Sequence, residues 1–140
     1  MKLSAIIVLI LLAAQCSVGD KTRKEKYGMS MFLGHCSACH GEDAAGQDPL
    51  HPDGRWLDNG ARLAPALNEK GHIWAYPPEL LFQRIKTGLL DEKPTMPTFE
   101  NSINDQEIIL VIQYLYSLWP EDIRKKYVAR YRDSQIVKGI

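Results

Sequence analysis

Cys36-Ser37-Ala38-Cys39-His40 is the stretch on which the reading of this 140-residue chain turns. Two of its three cysteines lie here, separated by two residues and followed at once by a histidine. Upstream, residues 24–36 place Tyr27, Met31, Phe32 and His35 at helical spacing, so the motif closes a helix with one inward face. Downstream, the sequence from Gly41 to Pro77 is rich in Gly, Pro, Asp and Asn and nowhere alternates as a strand does. The third cysteine, Cys16, falls in an N-terminal apolar segment, so the cysteines do not form a disulfide framework.

The rest of the chain is helical by pattern. Pro77 and Pro78 open a helix whose Leu81 and Ile85 sit one turn apart and which Gly88 is placed to stop. An irregular stretch, Asp91 to Phe99, sets Pro94 and Pro97 on either side of Met96. Asn104 and Glu107 make a capping-box pattern, and Ile108, Ile112, Leu115 and Trp119 share one stripe up to Pro120. From Glu121 to about Val137 the residues Ile123, Tyr127 and Tyr131 recur four apart, the pattern of an amphipathic terminal helix. A few short helices around so long an irregular loop are poorly suited to close a core by themselves, because such loops are uncommon in compact domains unless functional. A large apolar guest, wrapped by the loop, resolves this.

The motif names that guest. C-x-x-C-H is the attachment signal for c-type haem: two thiols at this spacing reach the two vinyl groups on one porphyrin edge, and the next residue, His40, is held at the iron. Three other readings of the pair are weaker. A zinc site needs four N or S ligands, and His35, His51 and His72 are poor substitutes for a second cysteine pair. A thioredoxin-like dithiol expects a βαβ setting. A structural disulfide across two residues is strained and leaves His40 unexplained.

At these residues the chain resembles the class I, mono-haem cytochromes c of the exported bacterial type, over essentially all of the sequence after its N-terminal segment. Gly28-x-x-x-Phe32-x-x-x-Cys36 resembles the family's N-terminal helix, and Tyr114, Leu115 and Leu118-Trp119 resemble the surface it meets on the C-terminal helix. Gly71-His72-x-Trp74 through Phe82 and Lys86-Thr87-Gly88, with Ser117-Leu118-Trp119-Pro120, is similar to a bacterial subgroup. The resemblance implies an all-α, class I cytochrome c-like fold: three to five short helices around one haem c, covalently held by Cys36 and Cys39. Here it carries an extra C-terminal amphipathic helix. Ala64-Pro65-Ala66-Leu67 resembles the segment whose proline carbonyl accepts a hydrogen bond from the proximal histidine, which makes Pro65 the group that orients His40.

Met96-Pro97-x-Phe99 resembles the family's distal methionine loop, and Met96 is the expected sixth ligand. A thioether is neutral and soft, and His/Met ligation stabilises ferrous iron. The plain alternative is a core methionine filling a gap. His51 or His72 opposite His40 would instead give bis-histidine iron. Met29 and Met31 lie too near Cys36 to reach the far face and read as packing residues; His35 reads as a haem-edge or solvent residue. Trp74, Tyr76, Phe82 and Phe99 read as core, some of them lining the haem, while Arg84 and Lys86 either pair with a propionate or are solvated.

Lys2, the apolar run Leu3–Ala14 broken only by Ser4, and the small residues Ser17 and Gly19 make residues 1–19 a signal peptide. The run is short against the roughly 20 residues of a membrane span. Leu12-Ala13-Ala14-Gln15-Cys16 admits a second reading, lipidation at Cys16, although Gln15 departs from the usual small residue; an uncleaved anchor is a third. The cytochrome domain is then 20–140, with 120–140 its helical extension. The chain carries 17 basic and 17 acidic residues, and losing Lys2 leaves 16 against 17, a near-neutral balance that argues against a nucleic-acid partner. Basic residues nonetheless crowd both ends and acidic ones the stretch Glu42–Asp58.

The expected function is one-electron carriage between respiratory or periplasmic redox partners, with no catalysis, in the periplasm or another extracytoplasmic space. A permanent haem subunit of a dehydrogenase or oxidase complex is the alternative. An enzyme or gas sensor with open iron would need Met96 off the iron.

Overall fold

The computed structural model describes residues 23–88 and 96–139. The expected signal peptide, lipidation at Cys16 and the Pro94 side of the distal loop lie outside the described residues. Helix α1 occupies residues 23–35. Cys36 breaks it for a single residue before the short helix α2, Ser37–His40. A 3-10 turn spans Ile73–Ala75, followed by α3 (Pro78–Thr87), α4 (Asp105–Ser117), α5 (Glu121–Arg130) and α6 (Gln135–Lys138). No strand occurs among the described residues, and one isolated antiparallel bridge joins Trp56 to Arg62.

Each helix begins where the local chemistry allows it. Pro78 occupies the first turn of α3, where its missing N–H costs nothing, and Gly88 ends the helix at φ 76°. The capping box of α4 is complete: Asn104 Oδ1 accepts from the Glu107 amide at 3.0 Å, and Glu107 Oε2 accepts from the Asn104 amide at 2.8 Å. Glu107 Oε1 also accepts from the Tyr27 hydroxyl at 3.0 Å, which ties α1 to the start of α4. That carboxylate, through the hydrogen bond and its charge, holds the Tyr27 phenol above its ordinary pKa. The stripe ends sooner than Pro120 suggests: α4 stops at Ser117, and Trp119 turns to face α5.

Phe32, Ile108, Val111, Ile112 and Leu115 form the centre of the core, with Ile73, Leu81, Ile85 and Ile103 around them. α1 crosses α4 at Gly28, where a Cβ would stand 2.2 Å from the Leu110 carbonyl oxygen and 3.1 Å from Tyr114 Cβ. The Phe32 and Tyr114 rings meet beside it, centroids 5.4 Å apart. Leu110 was not among the residues read as this surface, because it is the backbone of that position, not its side chain, that Gly28 approaches. Trp119 also reaches beyond this crossing. It packs with Tyr116 and Tyr127 and donates from Nε1 to the Leu67 carbonyl at 3.1 Å.

The terminal segment is two helices where one was expected. The last turn of α5 closes with the Tyr131 amide donating to Tyr127, and Ser134 then caps α6 by accepting from the Ile136 amide at 3.2 Å. The break lets Ile136 and Val137 reach the core while Tyr127 and Tyr131 stack against Trp119 and each other. Among the described residues no helix is long and apolar enough to cross a membrane.

Candidate haem site

The attachment motif is wound into one turn. The Cys39 and His40 amides both donate to the Cys36 carbonyl, at 3.1 and 2.9 Å, so the two sulfurs and the imidazole are carried by successive positions of a short helix. Ser37 Oγ donates back to the Leu33 carbonyl at 2.7 Å, which bridges the break at Cys36. Both cysteines are free thiols, Cys36 partly buried and Cys39 exposed, so the disulfide reading fails. Burial, and then the neighbouring Cys39, push the Cys36 thiol up to about 11.

His40 is buried, and its Nδ1 lies 2.9 Å from the Pro65 carbonyl oxygen. A carbonyl only accepts, so Nδ1 carries the proton and Nε2 keeps its lone pair. Burial lowers the imidazole pKa, and the Pro65 contact works in the opposite direction. The net result is a neutral ring with one nitrogen oriented by the backbone and the other available as a donor to metal.

The loop from Gly41 to Gly71 holds Pro65 in place through its own backbone. The Gly46 amide donates to the His40 carbonyl at 2.8 Å, the Gln47 amide to Ala64 at 3.1 Å, and Ala66 to Pro52 at 2.7 Å. Gln47 Oε1 accepts from the Ala64 amide at 2.7 Å, and Leu67 donates to Ala44 at 2.8 Å. Gly46, at φ 80°, is pressed so close that a Cβ would stand 2.7 Å from the Ala66 nitrogen and 2.8 Å from the Pro65 carbonyl carbon. No pattern in the sequence marks Gly46, because its role depends on two loop segments meeting.

Met96 enters from the other side of the chain. The Lys86 carbonyl at the end of α3 accepts from the Phe99 and Glu100 amides at 3.1 and 3.0 Å, and from Thr98 Oγ1 at 2.7 Å. Gly88 lies against the Met96 carbonyl, where a Cβ would come within 2.7 Å. These contacts clamp residues 96–100 onto α3. Met96 and Cys36 are both half-buried on the rim of the same core.

The other candidates are engaged elsewhere. His51 Nδ1 pairs with Asp48 at 2.9 Å, His72 Nδ1 pairs with Asp53, and both rings are exposed. Lys86 bonds Asp105 at 2.7 Å, and Arg84 lies over the Tyr76 ring at 4.7 Å. His35 is exposed, edge-on to Phe99. Trp74, Phe82 and Phe99 are half-buried, but Tyr76 is exposed and is not core. For the zinc reading, no group of three or more His, Cys, Asp or Glu among the described residues could hold a metal ion. The donor set fits haem: two free thiols in one turn, a neutral buried histidine presenting Nε2, and a thioether on the rim of the same core.

The comparisons agree. The family model for cytochrome c oxidase, cbb3-type, subunit III matches residues 23–115. Cytochrome CL from the marine methylotrophic bacterium Methylophaga aminisulfidivorans is similar in structure, at a TM-score of 0.50 and 25% identity over 74% of this chain. The chain spans 59% of the length of that structure's chain. No curated protein matches the chain. The chain thus belongs to the cbb3-type oxidase subunit III family of cytochrome c domains, and it is an all-α c-type cytochrome with covalently bound haem and an electron-transfer function.

Proposed function

We propose that the chain is an exported mono-haem electron carrier, with Cys36 and Cys39 as the thioether positions and His40 and Met96 as the axial ligands. The bound haem supplies a single iron that cycles between ferrous and ferric states. The observation that carries this reading is the contact between His40 Nδ1 and the Pro65 carbonyl at 2.9 Å. It fixes the tautomer, aims Nε2 away from the loop, and keeps the ring in place through a redox change. Burial pushes the Cys36 thiol up to about 11, so before haem is attached this sulfur is a neutral thiol over a wide pH range. The clamp of residues 98–100 on the Lys86 carbonyl supports Met96 as a fixed thioether rather than a mobile gap-filler. His40 and Met96 would together hold the haem iron and leave it no position for a substrate, so the reading is carriage without catalysis. Docking partners are redox proteins of an extracytoplasmic space.

The family description names an oxidase subunit, and this favours a second reading, a haem subunit held permanently in a complex. The two readings share the same iron chemistry and differ in how long the partner stays. Copurification of a tagged chain from its own membranes separates them: a stoichiometric partner stable to gel filtration supports the subunit, and a lone chain supports the carrier.

The first test is optical. The protein is produced with its own N-terminal segment alongside a haem-attachment system, and pyridine haemochrome counts covalent haem. One haem per chain and a weak far-red ferric band that disappears in Met96→Ala are expected. Low-spin iron without that band would move the sixth ligand to a histidine. High-spin iron would replace the carrier with an open-site enzyme or sensor.

A further inference from the structure

Pro65 offers His40 a carbonyl, and the peptide groups around it decide where that carbonyl stands. Many of the hydrogen bonds that hold it run within the loop or to its start: Gln47 to Ala64, Ala66 to Pro52, Leu67 to Ala44. Asn68, itself buried, donates from Nδ2 to the Asp43 carbonyl at 3.1 Å and belongs to the same set. Such bonds give the loop its shape. They do not fix it against α4, because both partners of each bond would shift together.

One contact is different. Trp119 Nε1 donates to the Leu67 carbonyl at 3.1 Å, across 52 residues of sequence, and reaches it from the end of α4. α4 is also the helix that α1 crosses, and α1 leads through Cys36 into the turn that carries His40. The indole therefore ties the Pro65 segment to the frame on which His40 stands. Its own position is well determined. Trp119 is 2% exposed, its ring packs edge-on against Tyr127 at 5.0 Å and Tyr116 at 5.8 Å, and its amide donates to the Tyr116 carbonyl at 3.2 Å. Phenylalanine could share that aromatic packing; what the indole adds is its N–H. A buried carbonyl needs a donor, which by itself would make the contact a matter of stability. The place of Leu67, two positions beyond the carbonyl that His40 uses, makes it more.

We propose that Trp119 is a positioning residue for the haem iron: by pinning the Leu67 carbonyl, its indole N–H holds the Pro65 carbonyl within hydrogen-bonding distance of His40 Nδ1. The proposal rests on His40 as the proximal ligand. The Nδ1–H bond lends the ring electron density and makes it a better donor to ferric iron. Releasing the pin loosens that bond and favours the ferrous state. Trp119 lies beyond residues 23–115, so this support belongs to a part of the chain that the family model does not match.

The test is Trp119→Phe, which keeps an aromatic ring and removes the N–H. Its holoprotein should shift about threefold toward the ferrous state, a rise in midpoint potential of roughly 28 mV at 59 mV per tenfold. The His40 Nδ1 proton of the reduced protein should also exchange faster with deuterated water. Ile123→Ala thins the packing of the same half-buried cluster without touching either hydrogen bond. It should lower the melting temperature and leave both readouts unchanged. An unmoved potential in Trp119→Phe, or an equal shift in Ile123→Ala, overturns the proposal and leaves Trp119 a packing residue. If Trp119→Phe does not fold, the wild type decides: its indole proton should be protected from exchange as the His40 proton is, and a freely exchanging indole proton overturns the proposal. One covalent haem and the far-red band are required of every sample, which separates failure of this proposal from failure of the haem reading.

Discussion

A methyl group added at Gly46 has no free space to occupy. The backbone there is left-handed, which costs an L-residue about 1–2 kcal/mol, and the new carbon would press on the Pro65–Ala66 peptide itself. Overpacking against backbone adds roughly 1–3 kcal/mol because no rotamer change relieves it. Gly46→Ala should therefore destabilise the holoprotein by about 2–4 kcal/mol in a denaturant titration. It should also move the midpoint potential, because the pressed carbonyl is the one His40 uses. Gly34 is the control: it is an exposed helical position with nothing within 4 Å of an added Cβ. Gly34→Ala should leave the potential unchanged and stabilise by up to about 1 kcal/mol. A potential that moved equally in both variants would separate Gly46 from the His40 contact. Asp48 supplies the acid-side counterpart. The His51 ring, then the Leu50 amide, hold its carboxyl below the ordinary range. A depressed carboxylate contributes stability above its unfolded pKa of ~3.9 and loses it as the pH falls through the lowered value. Asp48→Asn should thus flatten the acid limb of a stability–pH curve below about pH 4 and change little at pH 7.

Helices meet the same constraint along their whole length. At Gly28 an alanine has the better helix propensity by about 1 kcal/mol, yet its Cβ would stand 2.2 Å from the Leu110 oxygen. Both partners at that contact are backbone, so α1 and α4 must separate or tilt, and the packing loss of roughly 1–3 kcal/mol outweighs the propensity gain. Gly28→Ala should lower the melting temperature while one haem per chain remains attached. An unchanged melting curve would mean that the crossing is looser than the close approach implies. Asn104→Ala removes one half of the α4 box and should cost about 1 kcal/mol. These two elements also show what was legible beforehand. The box and the stripe of α4 are local, so sequence spacing exposes them. The break between α5 and α6 is not, because Ile123, Tyr127 and Tyr131 keep their four-residue spacing up to the point where Ser134 starts a new helix. The attachment motif was readable from its chemistry alone. The Pro65 contact was readable only through resemblance, since it joins positions 25 residues apart. The supports for Met96 were not readable at all, because they consist of backbone groups meeting the end of α3.

For the molecule as a whole, the family match ends at residue 115, within α4, while the core does not. Tyr127, Ile136 and Val137 lie beyond it and are buried together with Trp119, which is itself only 2% exposed. α5 covers the 3-10 turn and α6 packs on α3, so the extension braces both elements that frame the long loop. Full burial of a large apolar side chain is worth roughly 1.5–3 kcal/mol. Three such residues therefore amount to a large part of the roughly 5–15 kcal/mol that separates folded from unfolded chains. The surface pairs Glu121–Lys125 and Asp122–Lys126 are exposed and add little to this. An extension that was merely a docking arm would leave the core indifferent to its loss. Ending the chain after Pro120 should instead lower the melting temperature of the holoprotein by more than about 10 °C and open Trp119 to an aqueous quencher. Covalent haem should persist at one per chain, because Cys36 through His40 and the Pro65 contact lie outside the deleted segment. A shortened chain that melts within a few degrees of the full one, with Trp119 still shielded, would show that residues 23–120 close the core alone and would assign α5 and α6 to partner binding.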